Sequence, residues 1–147
     1  MINSHKTKLI KQLALELSSE LDTLPVTVLP NGDIVYELYL IKQTDTGHWE
    51  LQDIHSHDTV FTFWLKSCAL LAAYFYNITD FTSYREVKWL DREYYKNKSD
   101  SILFAHCLKT TKDFDQKVIF LNRLECSQSQ TDLYKRKISR LFKRTFV

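Results

Sequence analysis

Apolar positions saturate residues 63–76, FWLKSCALLAAYFY, where only Lys66 and Ser67 are polar. A helix drawn through such a run is apolar nearly all round, as a helix buried on most sides must be. This stretch is therefore expected to be the core element, begun by a cap from Asp58, Thr59 or Thr62. A membrane span needs about 20 apolar residues. Lys66 interrupts this run and leaves only Cys68 to Tyr76 unbroken, so no membrane span is expected. Lys66 can lay its stem along apolar surface with the amine in water, and Cys68 reads as a small buried hydrophobe.

Around this element the periodicity changes twice. Residues 4–24 place Leu9, Leu13, Leu17, Leu21 and Leu24 at spacings of four and three, an amphipathic N-terminal helix. Asn31-Gly32 between β-prone runs signals a hairpin, because both turn residues must tolerate positive φ; strands are expected near 26–30 and 34–43. The second carries Ile34, Tyr36, Leu38 and Leu40 on one face and Val35, Tyr39 and Ile41 on the other, so it reads as central. A turn at Thr44–Gly47 leads into HWELQD, a third, half-exposed strand. Ser83-Tyr84-Arg85-Glu86 fits a capping box for a surface helix over 84–96 with a charged outer face. Ser99 and then Thr110 or Thr111 would cap further helices, and the polar window Ser127 to Thr131 leaves open whether 112–145 is one helix or two. The expected fold is α+β: a single domain over 1–147, with the N-terminal helix and a three-stranded antiparallel meander in 1–58. A helical part then fills 59–147, its buried central helix packed on the meander.

Composition narrows the function classes. With two glycines and two prolines in 147 residues, and neither GxGxxG nor GxxxxGK, the glycine-rich phosphate-binding loops are excluded. Three cysteines, Cys68, Cys107 and Cys126, without CxxC spacing, imply a reducing, cytoplasmic setting. The net charge of +2 is unevenly spread: residues 131–147 carry +5 and the remainder −3. Lys135, Arg136, Lys137, Arg140, Lys143 and Arg144 on the last helix could neutralise several phosphates, with Tyr134 or Phe142 stacking on bases. The bland alternative is a solvated face that keeps the helix soluble.

Candidate chemistry is sparse. His48, Asp53, His55, His57 and Asp58 form the densest set of potential metal ligands, and in an extended chain His55 and His57 share a face with Asp58 beside them. His48 has the opposite parity, and the same residues suit a solvated turn. Asp80 with Glu86-Val87-Lys88 loosely resembles the D…ExK pattern of metal-dependent nucleases, but ExK there belongs on a strand and here follows a capping box. His106 and Cys107 are sequence neighbours, which do not face each other on a helix. No catalytic residue and no cofactor is assigned.

The segments NGDIVYELYLIKQ, GHWELQD, FWLKSCALLAAYFYN, LDREYYKNKSDSILFAH, LKTTKDFDQKVI, LNRLE and ISRLFKRTFV together resemble a family of short proteins of marine contractile-tailed bacteriophages, chiefly cyanophages, and ocean metagenomes. The resemblance spans most of the chain and implies a viral origin, in the cytoplasm of an infected bacterium or in the virion. It brings no chemistry with it. The leading expectation is a non-catalytic phage accessory or interaction protein with a protein partner or self-association. Nucleic-acid binding through residues 131–147 and a metal-dependent hydrolase or nuclease are the alternatives.

Overall fold

A computed structural model describes residues 26–146; the expected N-terminal helix over 4–24 lies outside the described residues. The described residues build an α+β fold in which five antiparallel strands, paired in sequence order, precede three helices. The strands are β1 (Val26–Val28), β2 (Ile34–Tyr36), β3 (Tyr39–Gln43), β4 (Trp49–Asp53) and β5 (Thr59–Phe63). The helices are α1 (Lys66–Asn77), α2 (Phe81–Thr110) and α3 (Phe114–Phe146). The expected three-stranded meander is thus a five-stranded one, for two identifiable reasons.

First, the run 34–43 is two strands rather than one. Glu37 takes φ 50° and turns the chain, so Ile34 pairs with Ile41 and Tyr36 with Tyr39. The turn resets the alternation: even positions face the core before it and odd positions after it. That is why the run looked apolar on both faces when read as one strand. Second, Thr59–Phe63 leaves the helical region and pairs with β4, with a register irregularity at Leu51/Gln52. Threonine, valine and phenylalanine suit a pleated, half-buried surface, and no side chain among them is needed to start the helix. The cross-strand row Ile34, Ile41, Leu51 and Phe61 then runs along the inner face, with the first three fully buried. A hairpin forms around Asn31-Gly32, but through a loop over residues 29–33 in which Gly32, at φ 90°, and not Asn31 takes positive φ; Gly47 at φ 88° closes the next turn.

Against this inner face lies α1, which buries Cys68 to Ala73 and Phe75. None of Asp58, Thr59 or Thr62 caps it, and its N-cap residue, Leu65, offers no side-chain bond. The cap comes instead from Asp91 on α2: its carboxylate accepts the Trp64 N–H at 3.0 and 3.2 Å and the Leu65 N–H at 3.0 Å. Asp91 is only 2% exposed. A carboxylate at a helix start satisfies orphan amides and sits at the positive end of the macrodipole, so a buried charge here is placed where the backbone offers most in return.

Of the remaining helices, α2 is longer than the sequence pattern indicated, and α3 is a single helix where one or two were open. Asp80 rather than Ser83 caps α2, accepting the Ser83 N–H at 3.1 Å and the Ser83 hydroxyl at 2.7 Å. The helix then continues past 96 without interruption to Thr110. Polar residues that suggested breaks are absorbed by hydrogen bonds to the preceding turn: Asn97 donates to the Glu93 carbonyl and Ser101 to that of Asn97. Likewise Ser127 donates to the Leu124 carbonyl and Thr131 to that of Ser127, and α3 is one helix across the polar window. The two helices pack along each other as an antiparallel hairpin, and the Ser101 and Ser127 hydroxyl oxygens meet at 3.0 Å across it.

Candidate nucleic-acid interface

On α2 the spacing Arg85, Lys88, Trp89, Arg92 is i, i+3, i+4, i+7, which places three cations and a tryptophan on one face. This face meets β5 in a cleft of about 270 Å³ lined by Phe61, Thr62, Trp64, Arg85, Lys88, Trp89, Asp91 and Arg92. Its aromatic members are held differently. Trp64 is stacked on Tyr95, with ring centroids 3.4 Å apart and planes within 3°, and His48 lies on it at 3.9 Å. Phe61 lies under the Lys88 ammonium, which is 4.1 Å from its centroid and 5.2 Å from that of Tyr84. Trp89 remains 47% exposed.

The floor of the cleft is set by the same Asp91 that caps α1. Burial pushes its carboxyl above the usual carboxylate range, although the amides of Trp64 and Leu65 pull the other way. Beside it, burial pushes the Cys68 thiol well up and the Asp91 carboxylate adds to the shift, so this cysteine is a protonated core residue. Lys66 is half-buried with its ammonium 5.0 Å from the Trp49 ring, and burial lowers its pKa.

All six basic residues proposed from the sequence are exposed on α3. At about 100° per residue, Arg136, Arg140 and Lys143 form one stripe with Lys137 and Arg144 at its side, opposite the buried Ile138, Leu141 and Phe142. Lys135 falls on the other side of the helix. Phe142 is buried and cannot stack on a base, whereas Tyr134 is half-buried at the surface. The Tyr134 ring meets Trp89 edge to face at 5.5 Å, with the Lys137 ammonium 5.5 Å from its centroid. Through this contact the cationic face of α2 runs on to Lys137 of α3. Sequence reading missed the α2 half of the surface; the signal was present in the i, i+3, i+4, i+7 spacing, masked by the acidic residues alternating with it.

The other sequence candidates do not assemble. His55, His57 and Asp58 lie exposed in the turn between β4 and β5, where the Asp53 carboxylate accepts the N–H groups of His55 and Ser56 and His57 takes φ 60°. Those two hydrogen bonds hold the Asp53 carboxyl below its usual range. No group of three His, Cys, Asp or Glu side chains suited to a metal ion occurs among the described residues. Of the D…ExK set, Asp80 is spent as the α2 cap, with its pKa lowered by the Ser83 hydroxyl and amide. Glu86 and Lys88 point about 200° apart around the helix, so the three do not converge. Cys68, Cys107 and Cys126 are unpaired. No described helix is long and apolar enough to cross a membrane.

Compared with protein-family models, curated proteins and solved structures, the chain matches none.

Proposed function

We propose that this chain is a non-catalytic binding protein whose ligand is nucleic acid, held by the joined cationic faces of α2 and α3. The observation that carries this reading is the Trp89–Tyr134 contact, which sets Arg85, Lys88 and Arg92 of α2 beside Lys137, at the edge of the basic face of α3. Interleaved cations and aromatic rings suit a polyanion that also presents flat bases. No base-reading motif accompanies them, so contact is led by phosphates and weakly sequence-specific. The setting implied by the family resemblance, an infected bacterium or a virion, goes with this proposal.

Fluorescence anisotropy with short labelled oligonucleotides at two or more salt concentrations tests it. Affinity falls steeply with salt, by roughly 0.7 to 0.9 logarithmic units of slope per phosphate neutralised. Replacing Arg136, Arg140, Lys143 and Arg144 with Gln flattens the slope without loss of folding, since all four are exposed. No binding at low salt overturns the reading.

A second reading, self-association, is favoured by the outer part of the helical hairpin. Phe114, Val118 and Leu121 lie at i, i+4, i+7 and are 74%, 43% and 43% exposed, with Ile102 at 67% and Leu103 at 54% nearby. A second copy presenting the same hairpin would cover them. Sedimentation velocity across a hundredfold concentration range, with Phe114→Ser and Leu121→Ser, decides between a monomer and a dimer.

A further inference from the structure

We propose that the cleft between β5 and α2 receives an unpaired base of a single-stranded nucleic acid, with Trp89 as its stacking platform and Arg85 and Arg92 on the flanking phosphates. This rests on the nucleic-acid reading above and goes beyond it in naming the form of the ligand and where one nucleotide sits.

Three features of the cleft select a single strand. Its shape is concave, whereas a duplex is read by a helix or ribbon that protrudes into a groove; a concavity of about 270 Å³ admits a base that has left its stack. Its lining alternates rings and cations, the combination that serves single strands because every base has a π-face. Its charge is graded from rim to floor. Arg85 and Arg92 are exposed at the rim, while the floor carries Asp91, 2% exposed and with its carboxylate engaged by the Trp64 and Leu65 amides. A carboxylate at the floor repels phosphate, so the phosphates stay with the arginines and the neutral base goes in.

The choice of Trp89 follows by elimination among the three aromatic side chains. Trp64 is packed between His48 and Tyr95, and Phe61 is covered by the Lys88 ammonium. Trp89, 47% exposed, touches only the edge-to-face Tyr134 ring among the aromatic contacts. It also stands at the junction with α3, so a strand lying on it can continue toward Lys137 and Arg140.

The test uses the full chain and three ligands of equal length: a single strand, its duplex, and a single strand that is abasic throughout. Binding is read by anisotropy and by quenching of tryptophan fluorescence. The single strand is expected to bind roughly tenfold or more tightly than the duplex, with quenching that Trp89→Leu removes. Trp89→Leu should weaken single-strand binding about tenfold, the usual effect of losing one stacking partner, and leave its salt slope unchanged. Arg85→Gln with Arg92→Gln should instead lower the slope by about 1.4, from roughly 0.7 per single-strand phosphate. Binding in which duplex and single strand are equal and Trp89→Leu has no effect overturns base insertion while the broader reading stands. Absence of binding to all three removes both. Should Trp89→Leu fail to fold by circular dichroism, the abasic strand decides: binding roughly tenfold weaker than to the intact strand supports the pocket, and equal affinity overturns it.

Discussion

The inner and outer parts of the α2–α3 hairpin are both two helices side by side and are held by different means. Next to the sheet, α2 buries Tyr84, Val87, Leu90, Asp91 and Tyr94, and α3 buries Ile138, Leu141 and Phe142. Between Tyr94 and Ile138 the only buried side chain is Ser127. Two helices touching along one line can shield only the residues on that line, and a third layer is needed to enclose a full apolar stripe. The inner half has that layer in α1 and the sheet. The outer half has none, so apolar side chains on its contact line such as Phe104, Leu108, Phe120 and Leu124 stay only half-buried, and Ser101 and Ser127 meet across it. Stability is therefore concentrated at one end of the molecule, and the exposed apolar side chains Ile102, Leu103, Phe114, Val118, Ile119 and Leu121 are collected at the other.

The largest effect that would break this contrast is expected in α1. Leu71 is fully buried and Leu70 2% exposed, so Leu71→Asp or Leu70→Asp should abolish cooperative folding. A buried unpaired carboxylate costs several kcal/mol out of a total of about 5–15. A thermal melt near that of wild type for both variants would contradict the placement of the core.

Asp91 comes next. Asp91→Ala leaves the Trp64 and Leu65 amides without the only side-chain acceptor at the start of α1. At about 1–3 kcal/mol for each of the two amides, a total of about 2–6 kcal/mol is expected in urea unfolding. The same carboxyl has a pH signature. Because its folded pKa is raised, its contribution is fully present below the unfolded value near 4 and is lost as pH rises through the folded value. The stability of wild type relative to Asp91→Asn should therefore decline as pH rises through this window; a difference that grows with pH would show that the amide donors outweigh burial.

In the outer half the effects shrink. Ser127→Ala removes the bridge to Ser101 and should cost about 1 kcal/mol. Leu121→Asp, at a position 43% exposed, should change stability by less than about 0.5 kcal/mol. A large loss in Leu121→Asp that depends on protein concentration would sharpen the contrast differently, by showing that a second copy supplies the missing layer.

Much of this architecture was readable from residue order alone. The apolar saturation of residues 63–76 identified the buried helix, Asn31-Gly32 and Thr44–Gly47 marked two turns that form, and the split between strands and helices followed from the change of period. These signals are local: each depends on side chains within a few residues of one another. The errors also have a local cause. Glu37 gives no turn signature, so the reversal at φ 50° was invisible and one strand was read where there are two. Polar residues at 97–101 read as a break, and those at 127–131 left one helix or two open, because a sequence does not show a hydroxyl returning to the carbonyl of the preceding turn.

What only the tertiary structure decided lies at longer separation. Asp91 caps a helix that begins 25 residues earlier in the chain, and no pattern in α2 distinguishes it from an ordinary surface acid. The basic residues of 131–147 were visible as a charge asymmetry, yet the approach of Lys137 to the cations of α2 exists only because α2 and α3 run antiparallel and bring Trp89 to Tyr134. Periodicity states which residues share a face of one helix; which two faces meet is settled by packing, and the packing is chosen by burial of the apolar stripes that those faces leave behind.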